Sequence, residues 1–287
     1  MTATAMNDIA DTNDEQRHSK GPRWSWTLRI GVGIVVAFIV MAITAPLLAT
    51  HNPHLSDVLN KLQPPSRDHW LGTDALGRDV YSRIVHAARL DLSIAFAAAT
   101  ISAVIGITLG SLAGFTGRWV DTIVMRTADV IQAFPVYVLL IALIFALGEG
   151  IRAILVAFAI VAWVPYARLV RGEIRRVRDL DYVHAATLGG LGYRRVLIGH
   201  VLPNTIKQPL VYYTFDVVGA VVALSAVAYL GLGIPPDTVE WGLMIADGQL
   251  YLREQWWLAV APGVVIALFG LGLTLVADGI DARWRER

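Results

Sequence analysis

The chain has 287 residues, 55% of them hydrophobic and only 16% charged, with a formal net charge of +1. Soluble domains carry nearer 25% charged residues, so a wholly soluble globular protein is excluded, and the near-neutral balance offers nucleic acid no electrostatic footing. Cysteine is absent, which rules out disulfides, thiolate metal sites and cysteine nucleophiles.

Residues 1–27 are polar and mix Asp8, Asp11, Asp14 and Glu15 with Arg17, Lys20 and Arg23. They read as a disordered cytoplasmic N-terminus. Apolar runs follow at about Leu28–Ala49, Leu92–Phe115, Ile123–Leu147, Ile151–Leu169, Pro209–Gly233 and Trp257–Ala277. Each is close to the roughly 20 residues that cross a bilayer as a helix. None alternates like a barrel strand. The fold class is therefore an all-α membrane protein with six transmembrane helices. The first, within 28–49, is retained, because a cleaved signal has a shorter apolar core behind a short basic start. Residues 50–88 form an external loop, residues 89–278 a body of five helices, and residues 279–287 a tail.

Basic residues set the orientation. With the N-terminus inside, fifteen Lys and Arg fall in the inner segments and seven in the outer ones, Arg29 and Arg126 within spans being set aside. Both termini are then cytoplasmic. Trp24, Trp26, Trp241, Trp256, Trp257 and Trp284 cluster near span ends, where their amphipathic rings suit the headgroup layer.

In the external loop, His69, Asp74, Arg78 and Asp79 raise the question of a metal. A metal site needs converging ligands with second-shell partners, and the reading here is that Arg78 pairs with carboxylates and orients the loop, with no metal. In the second span Gly106, Gly110 and Gly114 share one face, where another backbone can approach closely. In the third, Arg126 and Asp129 are spaced to pair along the helix, and Pro135 predicts a kink. Pro262 starts or bends the last span.

The segment from Asp181 to Asn204 is a polar stretch between very apolar spans, on the cytoplasmic side. Asp181 is placed to cap a helix from Tyr182, on which Tyr182, Ala185, Ala186 and Gly189 share a nearly flat face. Gly189, Gly190 and Gly192 break it. A second short helix over about Tyr193–Val201 carries Val196, Leu197, His200 and Val201 on one side and Arg194 and Arg195 on the other, until Pro203 stops it. Docking of a soluble partner and lying flat on the membrane surface both fit this pattern.

Asp216 sits about two turns inside the fifth span, sharing a face with Tyr212, Tyr213, Gly219 and Ala220. An ionised Asp at mid-span costs on the order of 3 kcal/mol, so such groups are paired or face water. It is either a wall of a translocation path, meeting a cationic amine, or a structural hydrogen bond to a neighbouring helix. No catalytic constellation stands out.

Four segments together resemble the peptide and nickel branch of ABC-importer permeases, and within it the second, C-type permease. They are His69-Trp-Leu-Gly-Thr-Asp74 with Leu76-Gly-Arg-Asp79; Asp121, Met125, Arg126 and Asp129 leading to Phe134-Pro135; the Asp181–Gly190 stretch with His200-Val-Leu-Pro-Asn204; and Gly231-Leu-Gly233, Pro235-Pro236 and Glu240-Trp-Gly242. The resemblance implies a type I importer fold in the bacterial or archaeal cytoplasmic membrane. It implies an ATPase-docking loop at about 171–207, in which Asp181, Tyr182, His184, Ala185, Ala186, Gly190, His200, Leu202 and Pro203 take part. It also implies an external loop touching a substrate-binding protein, with Asp74, Gly77, Arg78 and Asp79 as candidates, and a path near Tyr212 and Asp216. The implied partners are a homologous second permease, two ATP-binding subunits and an extracytoplasmic binding protein. No G-x-x-x-x-G-K-[ST] loop is present, so ATP and magnesium would belong to the partners and this chain would bind no cofactor. Two positions depart from the pattern: His184 stands where Glu is usual, where a capping box would otherwise close, and Leu224 stands where an acidic residue is usual. The alternative is an ion-coupled secondary transporter, which would favour more intramembrane carboxylates and inverted repeats.

Overall fold

The computed structural model describes residues 26–285; the N-terminal segment read as disordered lies outside them, apart from its last two residues. The described chain is helical, relieved by a single antiparallel β-bridge between Thr73 and Asp79. Helix α1 is Trp26–Ile43 and the short α2 is Ala45–Leu48. After the external loop come α3 Val80–Thr116, α4 Arg118–Gln132, α5 Val136–Leu147, α6 Ile151–Val161 and α7 Trp163–Arg178. The cytoplasmic-loop candidate follows as α8 Asp181–Leu188, α9 Tyr193–Val196, a π-turn Leu197–Val201 and α10 Leu202–Thr205. The chain ends with α11 Lys207–Tyr229, α12 Trp241–Gln249 and α13 Trp257–Arg285.

Five helical segments are long and apolar enough to cross a membrane: α1, α3, the α6–α7 pair, α11 and α13. A sixth is present only if α4 and α5 count as one, and they are bent by 89° at Phe134-Pro135. The expected kink is thus a full corner. Its cause is composition: α4 holds Arg118, Asp121, Arg126 and Asp129 within 15 residues, too much charge for hydrocarbon, whereas α5 has none.

Helix α3 starts at Val80 rather than at the apolar boundary near residue 89. Asp79 caps it, its Oδ2 accepting from Ser82 N at 2.8 Å, and a good cap starts a helix irrespective of hydropathy. At about 1.5 Å per residue its 37 residues reach ~55 Å, beyond a ~30 Å hydrocarbon core, so one end extends out of the lipid.

Close backbone contacts hold the bundle. A Cβ on Gly106 would lie 2.4 Å from Trp163 O, one on Gly110 2.6 Å from Ala167 O, and one on Gly114 3.0 Å from Arg171 O. The three-glycine face is therefore the seat of α7. Gly31 brings α1 against α13 in the same way, 2.7 Å from Val276 N. The main core gathers buried residues of α3, α5, α6, α11, α12 and α13 around Trp241, Leu224 and Phe269.

Candidate functional site

A small apolar cluster separate from the main core seats the cytoplasmic-loop candidate. Val170, Ile174 and Val177 of α7 pack with Val183 of α8 and with Val196, Leu197 and Val201. Val183 is the one buried residue of α8. Asp181, Tyr182, His184 and Ala185 face outward, Ala186 is half-buried, and Leu188 and Gly190 are exposed. Tyr182 ties the two halves together: Asn204 Nδ2 donates to its hydroxyl at 3.2 Å and to His200 O at 2.7 Å. Leu202 is half-buried and Pro203 exposed.

Two local expectations are corrected. The cap of α8 is Leu180, and Asp181 is the first helical residue, making no capping bond with its side chain. Its carboxylate sits in the first turn, where negative charge is still favoured. Position 184 is then the fourth helical residue, so no capping box reaches it. Pro203 does not stop the second helix either; it lies inside α10. The π-turn just before it absorbs the missing N–H and the ring's clash with the preceding turn.

At the other end of the bundle, the external-loop candidates form a knot. Asp74 Oδ1 accepts from Leu76 N at 2.8 Å and Arg78 N at 3.0 Å, and Oδ2 accepts from Arg78 Nε at 2.7 Å. Gly77 has φ +77, and a Cβ there would fall 1.7 Å from Asp57 O, so only glycine closes this turn. Asp79, buried, bonds His69 Nδ1 at 2.9 Å as well as capping α3. Gly77, Arg78 and Asp79 are buried and Asp74 is mostly so; they shape the loop from within, and its exposed apolar surface includes Leu55, Val58, Leu59, Trp70 and Leu76. His51, Nδ1 3.9 Å from Asp79 Oδ1, joins this group. His51, His69 and Asp79 each bring one ligand atom within 4.8 Å of the others, a donor set with room for a transition-metal ion, although the cap and the His69 bond already account for both oxygens of Asp79.

Between the two ends, Asp216 lines a cavity of about 160 Å³ with Gln132, Tyr137, Tyr212 and Gly219. Tyr166 OH donates to its Oδ2 at 3.0 Å, and the Tyr212 ring stands edge-on to Tyr166 at 4.7 Å. Asp216 is hydrogen-bonded to a neighbouring helix, as the structural reading expects, and it also lines this cavity. Arg126 and Asp129 do not pair. Asp129 takes Arg168 Nη2 at 2.7 Å, and Asp121 is held by Arg171 Nη2 at 2.8 Å and Arg175 Nη2 at 2.6 Å. All three bonds run between α4 and α7.

The family model described as the binding-protein-dependent transport system inner membrane component matches residues 106–286, and the N-terminal transmembrane domain of oligopeptide transport permease C matches residues 27–65. The chain belongs to this permease family. It is a multi-pass inner-membrane subunit of an ABC importer. It is 37% identical to the dipeptide transport system permease DppC of Alkalihalophilus pseudofirmus, over 88% of this chain and 83% of that one. It is 37% identical to the oligopeptide permease OppC of Bacillus subtilis, over 88% and 82%, and 32% identical to the nickel permease NikC of Escherichia coli, over 89% and 92%. Among solved structures, the fold is shared with the MetNI methionine ABC transporter in inward-facing conformations, at TM-score 0.57 and 17% identity over 70% of this chain and 96% of that one.

Several residues of the permease escaped sequence reasoning. Val183, the anchor of α8, is one apolar residue among several in a polar stretch, and only the fold shows which of them turns inward. Asp91 and Glu240 are both buried. Asp91 Oδ2 accepts from Trp241 N at 3.0 Å and Glu240 Oε2 from Leu243 N at 2.7 Å, so that together they start α12. Burial raises the Glu240 carboxyl above its ordinary range. Glu240 was visible as part of a motif, but its role as a buried cap was not.

Proposed function

We propose that this permease forms one half of the translocation path of an importer for peptides or related small solutes, with both termini in the cytoplasm. A homologous permease supplies the other half. Two partner ATPases bind and hydrolyse ATP with magnesium, and a binding protein delivers solute from outside. The observation that carries this reading is α8: a helix whose one fully buried side chain is Val183, presenting Tyr182, His184, Ala185 and the 89%-exposed Leu188. An exposed leucine beside a flat small-residue face, on the arginine-rich side, is the kind of patch that a soluble partner covers. The solute class rests on the dipeptide, oligopeptide and nickel permeases among its relatives.

Nucleotide-driven closure of the ATPases would move the two docked segments together and tilt the helix bundles as rigid bodies, a ligand selecting the conformation it binds better. Affinity purification of the tagged chain from native membranes in mild detergent tests the assembly. Recovery of a second permease and ATPase subunits supports it. A chain that purifies stable and alone would make α8 a surface-lying helix and end this reading.

A further inference from the structure

The cavity at Asp216 holds a negative charge with nothing opposite it. Asp216 Oδ2 accepts from Tyr166 OH at 3.0 Å. Oδ1 has no bond among the described residues and keeps accessible surface on a half-buried side chain. Among the described residues that line the cavity there is no Lys, Arg or His. One bond from a neutral hydroxyl does not offset an ionised carboxylate inside a span, and such groups face a cation or water. The rings of Tyr137, Tyr212 and Phe158 line the same cavity, and Gln132 adds an amide. Its volume of about 160 Å³ is that of a cavity that admits a benzene-sized guest, so it takes one end of a solute and not a whole peptide. Gly219 leaves one side open, since a Cβ there would meet nothing within 4 Å.

We propose that this cavity receives the protonated amine of the solute, an alkylammonium group, so that the path favours solutes with a free amine over the same solutes acylated. An ammonium is satisfied by one carboxylate together with aromatic faces, which attract cations through their ring quadrupoles. A hard metal ion is held by several carboxylate and carbonyl oxygens, and a single carboxylate lines this cavity. The bond from Tyr166 OH fixes the carboxylate of Asp216 and leaves Oδ1 for the amine. This inference rests on the importer reading above and names the group its solutes carry; loss of ATPase co-purification would end that reading, whereas the labelling below reports on the cavity alone.

The chain has no cysteine, so a thiol introduced at Gly219, where the added Cβ has open space, is uniquely addressable on it. Gly219→Cys in the purified transporter is labelled with a trimethylammonium thiosulfonate and with its sulfonate counterpart, each rate divided by that with a free thiol. The cationic reagent is expected to be favoured on the order of tenfold, as an uncompensated carboxylate nearby requires. Asp216→Asn in the same background keeps the acceptor for Tyr166 OH and removes the preference. Asp216→Glu, which keeps the charge, preserves it and controls for folding. Alanyl-alanine amide slows labelling several-fold, its N-acetyl derivative at the same concentration does not, and the protection is lost in Asp216→Asn. A thiol that neither reagent reaches, no preference for the cation, or a preference that survives Asp216→Asn, overturns the site. Equal protection by the two dipeptide amides, or none by either, overturns the assigned ligand.

Discussion

Truncating Val183 separates the seat of α8 from its docking face. Val183 is 3% exposed, inside the cluster of Val170, Ile174 and Val177. Full burial of a valine contributes about 2 kcal/mol and the half-exposed Tyr182 about 1 kcal/mol more; with the helix hydrogen bonds taken to offset the ordering entropy, α8 is seated by roughly 3 kcal/mol, about 99% of the time. Val183→Ala removes two methyl groups and leaves a small cavity, costing about 2 kcal/mol, or about thirtyfold in the seating equilibrium. The entropy of ordering the segment is common to both chains and cancels. The seated fraction then falls only to about 85%, and apparent affinity scales with that fraction. Hydrogen exchange at the amides of residues 183–189 is expected to speed up about thirtyfold in Val183→Ala, while ATPase capture weakens less than twofold. Ala185 is exposed, so Ala185→Arg leaves exchange unchanged but puts a long cation on the flat face, and capture is expected to fall at least tenfold. Tenfold loss of capture in Val183→Ala without faster exchange, or full capture by Ala185→Arg, would refute the division between seat and face.

The glycine face gives a second test. Gly110→Leu, whose Cβ alone would lie 2.6 Å from Ala167 O, should prevent accumulation of folded protein, whereas Gly172→Ala, with open space around it, should raise thermal stability by about 0.5–1 kcal/mol through helix propensity. Asp216→Asn keeps the acceptor for Tyr166 OH while removing the charge; uptake lost with normal assembly supports a path wall, and unchanged uptake makes Asp216 purely structural. Because burial raises the Glu240 carboxyl above the ordinary glutamate value, the folded state holds this proton more tightly than the unfolded chain. Stability from this group is therefore full below that ordinary value and is lost as pH rises through the elevated one; Glu240→Gln should flatten that slope in melting temperatures measured across the range. Asp121→Asn breaks the Arg171 and Arg175 clamp without touching α8. It should leave ATPase capture intact and reduce solute-stimulated hydrolysis several-fold; undiminished stimulation would show that α4 need not follow α7.

Much of this architecture was legible, for identifiable reasons. The spans are written in one-dimensional hydropathy, because a bilayer imposes length and apolarity on any helix that crosses it. Glycines 106, 110 and 114 were legible as a packing face because helical spacing alone brings them together. What failed were features decided by competition between neighbours. The run over 123–147 averages to an apolar span, but the charges at Arg126 and Asp129 sit in one half of it, and that half turns away by 89°. Asp129 was expected to choose Arg126 three residues away and instead takes Arg168 of another helix. Asp181 was expected to cap, but Leu180 occupies that position, because the preceding helix and the buried Val183 fix where α8 begins. Arg83 was hidden most completely: an arginine near a helix start reads as solvated, and only the folded loop reveals it as 2% exposed.

The two ends of the molecule are joined by a stiff element. Helix α3 begins at a cavity lined by Arg83 and ends beside Phe115, which packs against the α8 seat. Along it lies α7, whose backbone approaches closely at three glycines. Close-packed interfaces of this kind transmit displacement rather than absorb it. The last turns of α7 supply Val170, Ile174 and Val177 to the seat, so a pull on α8 is delivered to the α3–α7 pair as a unit. The same helix α7 holds α4 through Asp121 and Asp129, and beyond the corner α5 contributes Val136, Tyr137 and Leu140 to the cavity at Asp216. The corner at Pro135 breaks this route with an 89° bend of the backbone between α4 and α5. On the proposed docking at α8, a motion that starts there has two outlets, the opposite end of α3 and the mid-bundle cavity through the bent α4–α5 pair. A partner bound at α8 as proposed would then act on the far end of α3 and on the width of that cavity together.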